Sequence, residues 1–203
     1  MFTSRFEEAL SFAARLHRAQ SRKGRSVPYV SHLLGVASLV IEDGGAEDQA
    51  IAALLHDAIE DQGNQYPGGR AGLRQEIERR FGTAVLELVN ACTDDDACED
   101  KSDAGAWRPR KQAHLDHIPA IGAAARRVSC ADNLHNARCL LADFREAGDQ
   151  VWGSFRTGSA ADQLWYYGEL AAAFQAANTG LLAAELARVV ADLSAAVTAA
   201  KRT

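Results

Sequence analysis

Residues 46–62 read AEDQAIAALLHDAIEDQ, and the reading of this stretch decides the fold. Its spacing predicts a helix that begins near Ala46 and runs through Gln62. His56 and Asp57 stand side by side after the apolar run Ile51-Ala52-Ala53-Leu54-Leu55. A buried charge is costly unless paired or bound to a metal, so Asp57 needs a partner. Adjacent helix positions point about 100° apart, which lets two neighbouring side chains grip one ion from two directions. Imidazole nitrogen and carboxylate oxygen together suit a divalent transition ion such as manganese, iron or zinc.

Outward from this stretch, the pattern stays helical. Residues 4–20 form an amphipathic repeat with Phe6, Leu10, Ala13 and Leu16 or His17 on one stripe. A basic, polar stretch follows (Ser21-Arg22-Lys23-Gly24-Arg25-Ser26), and Pro28 leads into a helix from His32 to Glu42 with Ser31 as its cap. Beyond the loop Gly63 to Gly69, helices are expected over Arg70–Phe81, closed by Gly82, and over Ala84–Cys92. The acidic segment Thr93 to Trp107 reads as a loop, a rim or mobile flap rather than a core element. Helix resumes near Arg110, breaks at Pro119, and continues from Ala123 to about Glu146. Two alanine-rich helices close the chain, at about 160–176 and 181–200. No strand-like alternation, repeat or linker interrupts this pattern. The expectation is an all-α, single-domain helical bundle over residues 1–203, with its core at about 4–176.

Composition narrows the function classes. The chain has 203 residues, 47% hydrophobic and 24% charged, which suits one globular domain. A net charge of −5 argues against general nucleic-acid binding, so an anionic substrate must meet a local basic cluster. No run approaches the roughly 18 apolar residues of a membrane span. The start lacks a signal peptide's apolar centre, and the expected compartment is the cytoplasm. Cys92, Cys98, Cys130 and Cys139 match no zinc or CxxC spacing and read as small, partly buried thiols.

Two further polar residues stand in apolar helical settings. His32 lies within Tyr29-Val30-Ser31-His32-Leu33-Leu34, and Asp132 within Val128-Ser129-Cys130-Ala131-Asp132-Asn133-Leu134. Packed helices lie roughly 8–10 Å apart, close enough for such side chains to reach a common centre. Taken singly, each is explained as a satisfied core histidine or a capping aspartate. Taken in the order H…HD…D, they are read as one metal constellation of His32, His56, Asp57 and Asp132. Glu60 and Asp61 follow His56 and Asp57 by one helical turn and extend that surface. Placed at a helix C-terminus they would oppose the macrodipole, which favours a role other than structure.

The ordered pattern is that of the HD phosphohydrolase superfamily. More closely, the chain resembles the hydrolase domain of the Rel/Spo alarmone enzymes and the stand-alone small alarmone hydrolases. The matching stretches are HRAQSRKGRSVPYVSH (17–32), AALLHDAIED (52–61), FGTAVLELVNACTDD (81–95), RPRKQAHL (108–115) and SCADNLHNAR (129–138). The resemblance implies hydrolysis of the 3′-pyrophosphate of guanosine tetra- and pentaphosphate, usually with manganese; iron, cobalt or zinc are alternatives. It implies that His32, His56, Asp57 and Asp132 bind the metal, and that Glu60 and Asp61 orient or activate the attacking water. By the same resemblance Arg22 and Lys23 face the nucleotide and Asn136 contacts its sugar or base.

Arg138 is read either as a nucleotide contact or as a structural ion pair. Tyr166, within Trp165-Tyr166-Tyr167, is read either as an aromatic wall for the nucleotide or as core. Arg25, Arg110 and Lys111 are weaker phosphate candidates, and His114 and His117 read as structural. Leu33 stands where related sequences often have proline, a change in helix entry rather than in ligand chemistry. Adenosine analogues of the alarmone, NADPH and other nucleotide phosphates are the alternative substrates. The partner expected is a small-molecule nucleotide, with no nucleic acid, no membrane and a possible homodimer through the helices after residue 160. Alarmone synthesis and ribosome sensing are not expected.

Overall fold

The computed structural model describes residues 2–93, 107–155 and 159–201, and within them the chain is helical. The ten helices are α1 (Ser4–Leu16), α2 (Val30–Glu42), α3 (Glu47–Leu55), α4 (Ala58–Gln62), α5 (Gly69–Phe81), α6 (Thr83–Cys92), α7 (Trp107–His117), α8 (Ala123–Ala147), α9 (Ala160–Ala176) and α10 (Gly180–Ala200). Short 3-10 turns occupy Gly63–Gln65 and Gly148–Ser154. Among the described residues the sole strand-like pairing is one antiparallel bridge, Ser21 to Pro28. The all-α expectation is met. No helix among them is long and apolar enough to cross a membrane.

The chain divides into two compact units. The first comprises Met1–Asp94 with Gly122–Asp132, and the second Asp95–Ile121 with Asn133–Thr203. In the first unit, α3 is the central element: every residue from Gln49 to Leu55 is buried, and α3 packs against α1, α2 and α6. Its start is well furnished. The Gln49 side chain accepts the Ala46 N–H at 2.8 Å, and Glu47 and Asp48 place negative charge in the first turn. Arg5 of α1 then reaches Asp48 at 2.9 Å and the Phe81 carbonyl at 2.5 Å. In the second unit α9 packs on α10, with Phe174, Leu170, Leu186 and Leu193 fully buried.

Three departures from the periodicity bear on the first unit. First, α1 stops at Leu16 instead of running to residue 20, because the backbone beyond it pairs elsewhere: the Gln20 carbonyl accepts the Tyr29 N–H at 2.9 Å. Second, α2 begins at Val30, and Ser31 is not its cap. The Pro28 and Tyr29 carbonyls already accept the Ser31 and His32 N–H groups, at 3.1 and 2.9 Å. Third, the helix expected from Ala46 to Gln62 is interrupted at His56 and Asp57. The acidic segment lies largely outside the described residues, as does Cys98; Trp107, its far end, is already the first residue of α7.

Phe174 is the largest fully buried side chain of the second unit. Phe174→Ala should cost about 3–5 kcal/mol of stability, the usual penalty for emptying an aromatic core site. Urea denaturation read at the midpoint, with an unchanged slope, checks this.

Candidate metal centre

The interruption after α3 has a local cause. In an unbroken helix the Ala53 carbonyl would accept the N–H of Asp57. It accepts Nδ1–H of His56 instead, at 2.8 Å. A side chain that competes for a helix carbonyl in this way weakens the turn that contains it. Asp57 responds with φ −92° and ψ −3°, and α4 restarts at Ala58. Glu60 and Asp61 therefore sit in the first turn of a new short helix, not at the C-terminus of a long one. There they do not oppose the macrodipole, because negative charge at a helix start is favoured.

Because a carbonyl only accepts, the bond to Ala53 puts the His56 proton on Nδ1 and leaves Nε2 as a lone pair. That atom lies 3.0 Å from Asp57 Oδ2 and 3.6 Å from Asp132 Oδ1. His32 Nε2 mirrors it, at 3.1 Å from Asp132 Oδ1 and 3.6 Å from Asp57 Oδ2. Each of the two imidazole nitrogens, one from α2 and one from the α3–α4 junction, thus approaches a carboxylate oxygen of both Asp57 and Asp132. His32, His56 and Asp57 alone already meet the spacing of a candidate metal group. Ligand atoms gripping one ion at about 2.0–2.2 Å stand roughly 3–3.6 Å from their neighbours, which fits the four spacings here.

Charge makes the same demand. His56 Nε2 is buried and has no hydrogen bond, although two carboxylates approach it. A lone pair facing acceptor-only oxygens at 3.0 Å is repulsive unless a cation, a proton or a metal, lies between them. Burial opposes charge on His56, yet Asp57 and Asp132 outweigh burial and hold the imidazole well above its ordinary value. Burial likewise opposes ionisation of Asp57 and Asp132, and the two imidazoles hold both carboxyls below the carboxylate range. The donor set, two imidazoles and two carboxylates, is hard-to-borderline and suits a divalent ion.

Around this centre lies a layer that the sequence reading did not assign. The Tyr29 hydroxyl donates to Asp57 Oδ2 at 2.6 Å. Burial first, then the neighbouring Asp57 charge, push the Tyr29 phenol far above its usual range, so it remains a donor. His17 stacks on Tyr29 with ring centroids 5.1 Å apart and planes 17° from parallel. Gln20 donates to Asp61 Oδ2 at 2.7 Å. Burial, followed by the Asp57 charge, raises the Asp61 carboxyl above its ordinary value, and the Gln20 bond opposes that rise. His17 and Gln20 both fall within the stretch 17–32 that carried the resemblance. A polar residue on the buried stripe of α1 was the available signal.

The remaining candidates separate by unit. Arg22 and Lys23 belong to the first, in a loop closed by the Ser21–Pro28 bridge and by the Arg22 N–H to the Val27 carbonyl at 2.8 Å. Gly24 takes φ +74° at its tip, a conformation that favours glycine. The Arg22 guanidinium sits 5.7 Å from the centroid of the Tyr29 ring, while Lys23 and Arg25 are exposed. Asn136, Arg138 and Tyr166 belong to the second unit. Asn136 follows Asp132 by one turn along α8 and is half-buried. Arg138 pairs with Glu185 of α10 at 3.3 Å. Tyr166 is buried among Trp107, His114 and Tyr167, with the Lys111 ammonium 4.6 Å from its centroid. Cys92, Cys130 and Cys139 form no disulfide, and burial pushes the Cys92 and Cys130 thiols up to about 12.

The chain matches the HD domain family over residues 9–157. It is 34% identical over 152 residues to the Xenopus tropicalis guanosine-3′,5′-bis(diphosphate) 3′-pyrophosphohydrolase MESH1, covering 73% of this chain and 74% of that protein. Its identity to the human protein of the same name is 33%, with the same coverage. The bifunctional (p)ppGpp synthase/hydrolase SpoT of Escherichia coli is 33% identical over 140 residues, 67% of this chain and 18% of SpoT. A solved structure described as a metazoan ortholog of SpoT that hydrolyzes ppGpp superposes with a TM-score of 0.70. That match covers 93% of this chain and 95% of the other at 23% identity, and it speaks to the fold. This protein belongs to the HD-domain family and, within it, to the small alarmone hydrolases related to MESH1.

Tyr29→Phe removes the hydroxyl that orients Asp57 and keeps the ring that His17 stacks on. Affinity for a divalent ion should fall about 10–100-fold, the usual effect of losing an outer-shell partner, with little change in the far-UV circular dichroism spectrum. Metal titration by calorimetry measures it.

Proposed function

We propose that this chain hydrolyses guanosine 3′,5′-bis(diphosphate) and its pentaphosphate homologue at the 3′ position, releasing inorganic pyrophosphate. The observation that carries the reading is the meeting of His32, His56, Asp57 and Asp132 donor atoms at 3.0–3.6 Å. The relatives' names supply the substrate. The HD match runs across residues from both units, which supports treating 1–203 as one hydrolase domain.

The four residues would hold one divalent ion, manganese by family resemblance. When bound, such an ion acidifies water and neutralises charge developing on phosphoryl oxygens. The chain's own groups do the rest. Tyr29 keeps Asp57 aimed through its 2.6 Å bond. Glu60 and Asp61 orient the attacking water, and one of them takes its proton; a carboxyl raised above its ordinary value, as at Asp61, is the better base. The water oxygen bonds to the phosphorus next to the ribose 3′-oxygen, the bond between that phosphorus and the 3′-oxygen breaks, and the 3′-oxygen acquires a proton. Arg22 and Lys23 supply positive charge to the phosphates from a loop whose backbone is pinned at its base. Asn136, Arg138 and Tyr166 complete the proposed nucleotide contacts. A cytoplasmic location and a homodimer formed through the helices after residue 160 belong to the same reading.

The test is a substrate panel: manganese-loaded protein with guanosine and adenosine 3′-pyrophosphates, NADPH and simple nucleotides. Selective pyrophosphate release from the guanosine compounds is expected; phosphate release from NADPH alone would sink the proposal. Within the site, Asp57→Ala should abolish both metal retention and turnover. Glu60→Ala should keep the metal and lower kcat by about 10²–10⁴-fold, the range for a removed general base.

A further inference from the structure

We infer that Gln20 is a positioning residue that aims the Asp61 carboxylate, and that His17 and Gln62 lock Gln20 for that purpose. The inference rests on the role proposed above for Asp61. Three hydrogen bonds carry it. His17 Nδ1 lies 2.7 Å from Gln20 Oε1, the Gln62 amide donates to the same oxygen at 2.5 Å, and Gln20 Nε2 donates to Asp61 Oδ2 at 2.7 Å.

The chemistry of the partners fixes every orientation. An ionised carboxylate only accepts, so Gln20 must present its NH₂ to Asp61. Its oxygen then faces the other way and takes two donors. The amide is planar, so holding the oxygen from two sides also holds the nitrogen. His17 is the firmer of the two anchors. It is 2% exposed, its ring is stacked on Tyr29, and burial depresses its affinity for a proton despite the Gln20 bond. The neutral ring therefore carries its one proton on Nδ1, the atom that faces Gln20. Gln62 is the residue after Asp61 and the last of α4, so the same amide restrains both the carboxylate and the helix that bears it. The Gln20 backbone takes part as well: its carbonyl accepts the Tyr29 N–H at 2.9 Å. One residue thus ties Asp61 to the strand-like turn that carries Tyr29, the donor to Asp57.

The consequence is a carboxylate pinned through one oxygen. Asp61 Oδ2 is taken by Gln20, and Oδ1 has no hydrogen bond among the described residues. A carboxylate held in this way keeps one oxygen for a water molecule and cannot rotate to spend it elsewhere. Nothing in the metal set depends on Gln20 directly, so its loss should act on turnover and not on metal retention.

The experiment uses full-length protein and a Gln20→Met variant, which keeps the side chain's length and removes the amide. With manganese and guanosine 3′,5′-bis(diphosphate), kcat should fall roughly 10–100-fold, in line with lost outer-shell partners, while KM and bound metal stay unchanged. His17→Leu should show a similar loss. His17→Asn, which offers an N–H near the position of Nδ1, should restore most of the turnover. In metal-free protein, ¹⁵N-histidine spectra should show a slowly exchanging His17 Nδ1–H that Gln20→Met abolishes. Gln20→Met placed on Asp61→Asn should add no further loss. An equal loss in both backgrounds, or a change in KM or metal content in place of kcat, overturns the positioning role while leaving Asp61 in the mechanism. Full turnover in Asp61→Asn removes Asp61 itself, and the inference falls with it.

Discussion

Two carboxylates cannot share a small, partly dry volume unless positive charge joins them. Asp57 and Asp132 are in that position, each within 3.0–3.6 Å of both imidazole nitrogens. The cost of placing them there is large, since burial by itself pushes both carboxyls upward. It is offset only by a cation at the centre, whether protons on histidine or a divalent ion. Much of the first unit is arranged to make that centre unavoidable. The buried run of α3 delivers His56 and Asp57 to its end, α2 brings His32 and α8 brings Asp132.

The helix break at His56 shows how a local conflict becomes a functional geometry. An imidazole that takes a carbonyl from its own helix gains a fixed tautomer and gives up a turn of regular structure. The fixed tautomer aims a lone pair at the centre, and the lost turn lets Asp57 swing beside it. Neither effect would follow from an uninterrupted helix. The same break restarts the chain as α4, whose five residues carry both proposed acids. Ligand orientation and acid placement are thus two results of one hydrogen bond.

Much of the fold could be read from residue spacing because its punctuation is chemical. Gly82, with φ +89°, ends α5, and the break expected at Pro119 falls between α7 and α8. The four candidate metal residues stood out in the sequence for a related reason: a histidine or aspartate inside an apolar helical run has few structural explanations. What stayed hidden was held by bonds between residues distant in sequence. Tyr29, Gln20 and Gln62 look like ordinary polar residues until α1, the turn at 21–28 and α4 lie side by side. The early end of α1 was hidden likewise, because the Gln20 carbonyl finds its partner nine residues away. Arg138 and Tyr166 show the converse. Their chemistry suits a nucleotide, and in the fold both also serve packing, through Glu185 and through the Trp107 cluster.

The bridge between Ser21 and Pro28 sets a rule of length on the basic loop. Its tip residues contribute charge and tolerate exchange, but the number of residues between the two ends is a gauge. Deleting one would pull Tyr29 out of step with Gln20, and through Tyr29 the disturbance would reach Asp57.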